Sequence, residues 1–219
     1  VPEIKSALGN PRVTIEDSKA GWADSVKTLM YSLYDGQNVY FNYDLIRGEG
    51  ARLKTMGGRA SGPQPLIKLH DFIRESMHNA QGRKLTPLEA HDICNQIAEI
   101  VVVGGVRRSS QISLSDLDDP EMRHAKDWPY PIKRAMANNS AIYRAQPSAA
   151  EFLKEWAALA LSGTGERGIF NLEAAQSKAP SRRYSPKIQG TNPCGEIMLR
   201  DMQFCNLSEV VIRADDNLD

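Results

Sequence analysis

At two places in this sequence a hydroxyl side chain stands three residues ahead of a glutamate and at the head of an apolar stripe. Thr86-Pro87-Leu88-Glu89 precedes Ile93, Ile97, Ile100 and Val101, and Ser148-Ala149-Ala150-Glu151 precedes Phe152, Leu153, Trp156, Leu159 and Leu161. Each is a capping box: hydroxyl and carboxylate satisfy each other's otherwise unpaired backbone N–H groups, which starts a helix at that point. Pro87, at the first helical position, has no N–H to lose there. Two more stripes have helical spacing, Trp22, Val26, Leu29, Met30 and Leu33 closed by Asp35-Gly36, and Leu66, Leu69, Phe72, Ile73 and Met77 from about Pro65. Between them lie runs that read as strands: aromatic-rich "NVYFNYDLI" (38–46), alternating "QISLS" (111–115) and apolar "IFNL" (169–172). Glycine-rich breaks separate the elements, "GARLKTMGGRASGPQP", "GGVRRSS" and "GTGERG". Helices alternating with short strands imply an α/β architecture.

Composition narrows the function classes. The 219 residues, 41% of them hydrophobic, suffice for a core without disulfide staples. With 27 basic and 27 acidic side chains the formal charge is zero. No global field draws the chain to nucleic acid or to a lipid surface, and the basic-aromatic "RHAKDWPYPIKR" is not read as a nucleic-acid patch. No run reaches the length of a membrane span. Three cysteines fit reduced thiols in a cytoplasm better than a secreted disulfide framework. The chain begins without methionine and stops after the strand-like "VVIR", which reads as a piece of a longer protein.

The chemistry concentrates near the C-terminus, in "TNPCGEIMLRDMQFCNLSEV" (191–210). Cys194 and Cys205 have ten residues between them, and no histidine follows His124. Structural zinc ligands pair at two to four residues, so this spacing excludes such a site, and it is not the redox C-x-x-C motif. His70, His78, His91 and His124 have no ligand spacing either. A free cysteine is most often a small buried hydrophobe, the ordinary reading for Cys205 and for Cys94 on its helix. Cys194 differs, because Pro193 and Gly195 enclose it in a turn. Asn192 and Glu196 flank it two residues away on either side. If the tip is extended, positions two apart face the same way, and an amide, a thiol and a carboxylate would meet one ligand.

"NPCGEI" followed by "FCNLSEV" resembles the active-site region of the ribonucleotide reductase catalytic subunit. "GARLKTMGGRASGPQPL", "VVVGGVRRSSQISLSD", "ANNSAI" and "GERGIFNLEAA" agree with it in order, so the resemblance extends from Arg52 to Val210. "GGRASGP" and "GGVRRSS" are most similar to the adenosylcobalamin-dependent class (class II). The oxygen-dependent class, with its diiron partner subunit, shares the cysteine motif but differs in those loops. The resemblance implies that residues 1–219 form roughly the first half of a ten-stranded α/β barrel, with a central finger loop at about 189–200.

On that resemblance the activity is radical-based reduction of ribonucleotides to deoxyribonucleotides. Cys194 would carry the thiyl radical that takes the ribose 3′ hydrogen, and Glu196 would accept the 3′-hydroxyl proton. Asn192 would hold the sugar, and Cys205, on the strand after the loop, would be half of the reducing dithiol. Ser61 would contact an effector nucleotide, while Gly104, Gly105 and Arg107 would read the substrate base. Implied partners are adenosylcobalamin, a ribonucleoside di- or triphosphate, a deoxynucleotide effector, an external thioredoxin-like dithiol and the rest of the barrel. No cysteine precedes Cys94 to partner Cys205, and neither a C-terminal cysteine pair nor a phosphate loop is present. The alternative is a non-catalytic half of a split or truncated reductase that docks its complement.

Overall fold

A computed structural model of the chain describes residues 1–5, 12–53, 58–103, 110–183, 187–205, 208–214 and 216. The N-terminal part is a helical layer. Helix α1 (Lys19–Tyr34) starts where the Ser18 side chain accepts the Gly21 N–H, and it buries Ser25, Leu29 and Leu33. It ends at Asp35 and Gly36, whose φ of +69° suits glycine; a Cβ there would lie 2.8 Å from the Glu3 carbonyl oxygen. Helix α2 (Gln64–Asn79) buries Leu66, Leu69, His70, Ile73 and Met77, one face of a 3.6-residue repeat. Helix α3 (Pro87–Val103) opens with the expected capping box. Thr86 N–H donates to Glu89 Oε2 (2.9 Å), and Glu89 N–H donates to Thr86 Oγ1 (3.2 Å).

The aromatic run at 38–46 contributes only β2 (Phe41–Asn42), paired in parallel with β1 (Val13–Thr14). Residues 44–46 turn instead. Asn42 caps the Asp44 N–H, and the Phe41 ring, from within β2, packs on His70 at 4.6 Å between ring centroids. Ile4, Ile15, Leu29, Leu33, Phe41, Ile46 and the α2 stripe form one apolar core, which Ile93 of α3 joins.

Three parallel strands in the order β3 (Gln111–Ser115), β4 (Ala137–Tyr143), β5 (Gly168–Asn171) form the second layer. Helix α4 (Pro120–Arg123) lies in the first crossover and α5 (Ala149–Ser162) in the second. Register pairs Asn138 with Ile112, and Ser140 with both Leu114 and Gly168. One face of β4 therefore presents Asn138, Ser140 and Ile142, and the other Asn139, Ala141 and Tyr143. The second face meets α3, where His91 Nε2 donates to Asn139 Oδ1 at 3.0 Å. The first face carries a smaller core of Ile142, Phe170, Leu172 and Ile188. Helix α6 (Leu172–Lys178) follows β5, and β6 (Ile188–Thr191) and β7 (Met198–Arg200) then form an antiparallel hairpin. Among the described residues these are open sheets, so the observed fold is α/β without a closed barrel.

Helix α5 has the expected Ser148/Glu151 capping box, but Phe152, Leu153, Trp156 and Leu161 are exposed. Its inward residue is Glu155, buried between two guanidinium groups. Arg123 Nε lies 2.6 Å from one carboxylate oxygen and Arg167 Nε 3.0 Å from the other. Arg167 also donates to Ser115 Oγ at 2.7 Å, so charge pairing rather than apolar contact seats α5 against the strand ends. Among the described residues no helix is long and apolar enough to cross a membrane. The run at 208–213 forms no strand, and Val210, Val211 and Ile212 are exposed.

Candidate active site

The turn between β6 and β7 carries Cys194. Gly195 N–H donates to the Asn192 carbonyl at 3.0 Å, which makes Asn192–Gly195 a hydrogen-bonded β-turn. Pro193 occupies its second position, where a fixed φ near −65° is favoured. Gly195, at the fourth, has a φ of +87°, which explains why glycine follows the cysteine. The turn closes further at its base, because Asn192 N–H donates to the Ile197 carbonyl at 3.1 Å.

This geometry changes the expected role of Asn192. In a turn the alternation of a strand does not apply, and the amide folds inward. Asn192 is 5% exposed, and its Oδ1 accepts the Ile197 N–H at 3.0 Å and the Thr191 hydroxyl at 3.3 Å. It closes the loop from beneath, whereas Cys194 and Glu196 are exposed. The extended tip with amide, thiol and carboxylate on one side is therefore not what forms.

The hairpin crosses the first face of the three-stranded sheet. A Cβ on Gly190 would lie 3.1 Å from Leu114 Cδ1, so β6 packs tightly over β3. Asn138 Nδ2 donates to the Pro193 carbonyl at 2.9 Å, attaching the turn to β4. Beside this attachment a cleft of about 650 Å³ opens. Its walls include Ser110, Gln111 and Ile112 of β3, Ala137, Asn138 and Ser140 of β4, and Thr164 to Glu166 and Gly168 to Phe170 around β5. Thr191, Pro193, Cys194 and Gly195 of the hairpin complete it. Open α/β sheets usually bind ligands at the carboxyl ends of their strands. Here the cleft lies at the amino ends, where the cysteine turn overhangs the sheet.

Two charged side chains line the cleft and neutralise one another. Lys126 Nζ lies 2.7 Å from Glu166 Oε1 and also donates to the Ala137 carbonyl, while Glu166 Oε2 accepts the Asn139 N–H at 2.6 Å. The pair joins the start of β4 to the loop before β5. On the far side of the sheet, burial would raise the Asp92 carboxyl. Hydrogen bonds from Arg134 and His91, with the Arg134 and Lys133 charges, outweigh that and hold it far below the usual carboxylate range.

Of the residues singled out from sequence, Cys194 lines the cleft. Asn192 lies under the turn, and Glu196 is exposed just beyond it. Cys205 is not on a strand: β7 ends at Arg200, and the chain at Cys205 is irregular and exposed. Met202, at a φ of +56°, lies in the turn that ends the ladder. Cys94 is exposed rather than part of the core. Ser61 donates to the Gly62 carbonyl at 3.4 Å in the loop before α2 and does not line the cleft. Gly104, Gly105 and Arg107 lie outside the described residues. Asn138, Ser140, Lys126 and Glu166 were not singled out, although "ANNSAI" and "GERG" contain three of them. The period of two joining Asn138 to Ser140 was the available signal.

The family described as ribonucleotide reductase, barrel domain, matches residues 131–215, which include β4 to β7 and the cysteine turn. The adenosylcobalamin-dependent ribonucleoside-triphosphate reductase of Lacticaseibacillus paracasei is 38% identical over 172 residues, covering 75% of this chain and 22% of that protein. The enzyme of the same name from Lactobacillus delbrueckii subsp. bulgaricus is 34% identical over 209 residues, 90% of this chain and 28% of its own length. A crystal structure of a B-12 dependent (class II) ribonucleotide reductase superposes with a TM-score of 0.73 at 28% identity, again covering 90% of this chain and 28% of that one. The chain thus spans roughly a quarter of the length of the relatives it matches.

Proposed function

We propose that this chain, which belongs to the ribonucleotide reductase family, supplies the radical-bearing turn of a class II reductase that converts ribonucleotides to deoxyribonucleotides. The observation carrying this is the placement of Cys194: an exposed thiol on a braced turn at the edge of a cleft of about 650 Å³. Residues 1–219 are then part of the family's ten-stranded barrel domain, with a finger loop at about 189–200.

On this reading the nucleotide's ribose lies in the cleft against Pro193, Cys194 and Gly195. The Cys194 sulfur, as a thiyl radical, takes the hydrogen atom from C3′; an S–H bond forms as the C–H bond breaks, leaving a carbon radical. Glu196 accepts the 3′-hydroxyl proton, and water departs from C2′. Cys205 is one half of a dithiol that donates two electrons and two protons, one of the protons to the hydroxyl leaving C2′, and is itself oxidised to a disulfide, which an external thioredoxin-like dithiol reduces again. Cys194 returns its hydrogen atom to C3′ and regains the thiyl radical. Adenosylcobalamin, when bound, supplies the first radical by homolysis of its cobalt–carbon bond. Cys194 is exposed, so such a group could reach its sulfur. Asn192 keeps the turn rigid from beneath, so the sulfur is oriented before the substrate arrives. Ser61, Gly104, Gly105 and Arg107 remain candidates for reading the effector and the base.

In the full-length enzyme that contains this sequence, Cys194→Ser is expected to abolish nucleotide reduction while nucleotide binding persists. Undiminished turnover would refute the assignment. A second reading, docking onto a complementary segment, is supported by β3 and β5 being the outer strands of their sheet among the described residues, and by exposed Phe152 and Trp156. The same variant separates the two, since a docking role does not need the thiol.

A further inference from the structure

We propose that Asn138 is a positioning residue that sets the direction of the Cys194 thiol by holding the Pro193 carbonyl oxygen. The proposal rests on Cys194 being the reacting group. Three observations carry it. First, Asn138 Nδ2 lies 2.9 Å from the Pro193 oxygen although 55 residues separate the two in sequence. Second, the amide has one favourable orientation, because its Oδ1 receives the Ser140 hydroxyl at 3.4 Å; reversing it would set oxygen against oxygen. Third, both residues lie on the sheet face that the hairpin crosses, and both line the cleft beside Cys194.

The consequence follows from peptide planarity. The Pro193 oxygen and the Cys194 Cα belong to one rigid six-atom unit. A hydrogen bond that fixes this oxygen also fixes the plane from which the Cys194 Cα–Cβ bond projects. Inside the hairpin, the Gly195-to-Asn192 and Ile197-to-Asn192 hydrogen bonds set the shape of the turn. On their own they leave its tilt over the sheet free, and a turn released from the sheet opens them more often. Asn138 supplies that second constraint, from the central strand. A thiol that must meet one particular hydrogen of a sugar loses rate steeply when it tilts, even though the sugar still binds.

The test compares wild type with Asn138→Asp and Asn138→Ala. Aspartate keeps the shape but has no N–H to donate, and alanine removes the group. Amide hydrogen exchange in this chain is expected to speed up by about tenfold at Gly195 and Ile197 in both variants, the factor for one net hydrogen bond of about 1.4 kcal/mol. Exchange in the Leu66–Met77 helix is expected to stay unchanged, which checks that the fold is intact; if the aspartate variant fails that check, the alanine variant carries the test. In the full-length enzyme both variants are expected to lower kcat while KM for the nucleotide is unaltered. Unchanged exchange at the turn overturns the proposal. So does a rise in KM at constant kcat, which would make Asn138 a substrate contact. Failure of the broader reading is distinguishable, because it would appear as retained activity in Cys194→Ser and would leave the exchange result untouched.

Discussion

Acid is expected to weaken this fold through one buried imidazole. His70 has no solvent exposure, and its ring is enclosed by Phe41, Tyr43 and Ser25. The Ser25 hydroxyl donates to the Trp22 carbonyl at 2.8 Å, so its oxygen accepts from His70 Nε2 at 3.1 Å. His70 Nδ1 is then the unprotonated nitrogen, accepting the Tyr43 hydroxyl at 2.7 Å. Protonating Nδ1 ends its role as acceptor for the Tyr43 hydroxyl and places a charge in an apolar core beside the Arg74 guanidinium. Burial first, and the Arg74 charge second, push the imidazole from its ordinary 6.5 down to about 3. A folded value below the unfolded one means that the unfolded chain binds the extra proton. The stabilisation is therefore complete above about pH 6.5 and is lost as pH falls toward 3. From about pH 7 to about pH 5 this one group should remove about 2 kcal/mol of stability. At pH 5 the native imidazole is still neutral, so the figure depends almost wholly on the unfolded value. Urea unfolding at the two pH values, followed by tryptophan fluorescence, measures the loss. His70→Gln, less stable at both, should lack that increment. An equal loss in wild type and variant would refute the reasoning.

Two further outcomes concern the sheet that supports the turn. A Cβ on Gly168 would lie 2.8 Å from Ser140 Oγ, so Gly168→Ala is expected to cost roughly 1–3 kcal/mol. Most of that cost should disappear in a Ser140→Ala background, which a double-mutant cycle of unfolding free energies reads directly. Glu155→Ala leaves the Arg123 and Arg167 guanidinium groups buried without their shared carboxylate, at an expected cost of about 3–5 kcal/mol, seen as a lowered urea midpoint.

Local signals were legible in the sequence wherever they acted locally. The Thr86 and Ser148 capping boxes, the α2 stripe and the Asp35-Gly36 stop each work within a few residues, and each appears where expected. The Pro193-Gly195 bend was legible for the same reason. What failed depended on partners distant in the chain. The apolar run on α5 does not face inward, because Glu155 is fastened there by Arg123 of α4 and Arg167 of the loop before β5. "NVYFNYDLI" has strand composition, yet only Phe41 and Asn42 find a partner strand, the two-residue β1, and the Asn42 side chain takes the Asp44 N–H. Alternation puts Asn192 on the side of Cys194, but the turn places it at a bend, and the strand expected to carry Cys205 ends at Arg200. Asn138 carries no local mark of its attachment to Pro193, since only folding brings the two together.

The claim at the centre of this account is that a nucleotide's sugar rests against the Cys194 sulfur in the cleft between the hairpin and the strand ends. A crystal structure of the full-length enzyme with a bound ribonucleotide tests it most directly. The ribose C3′ is expected in this cleft, with Cys194 Sγ at a reactive separation of about 3–3.5 Å. A ribose bound elsewhere, with Cys194 turned away from it, would contradict the account.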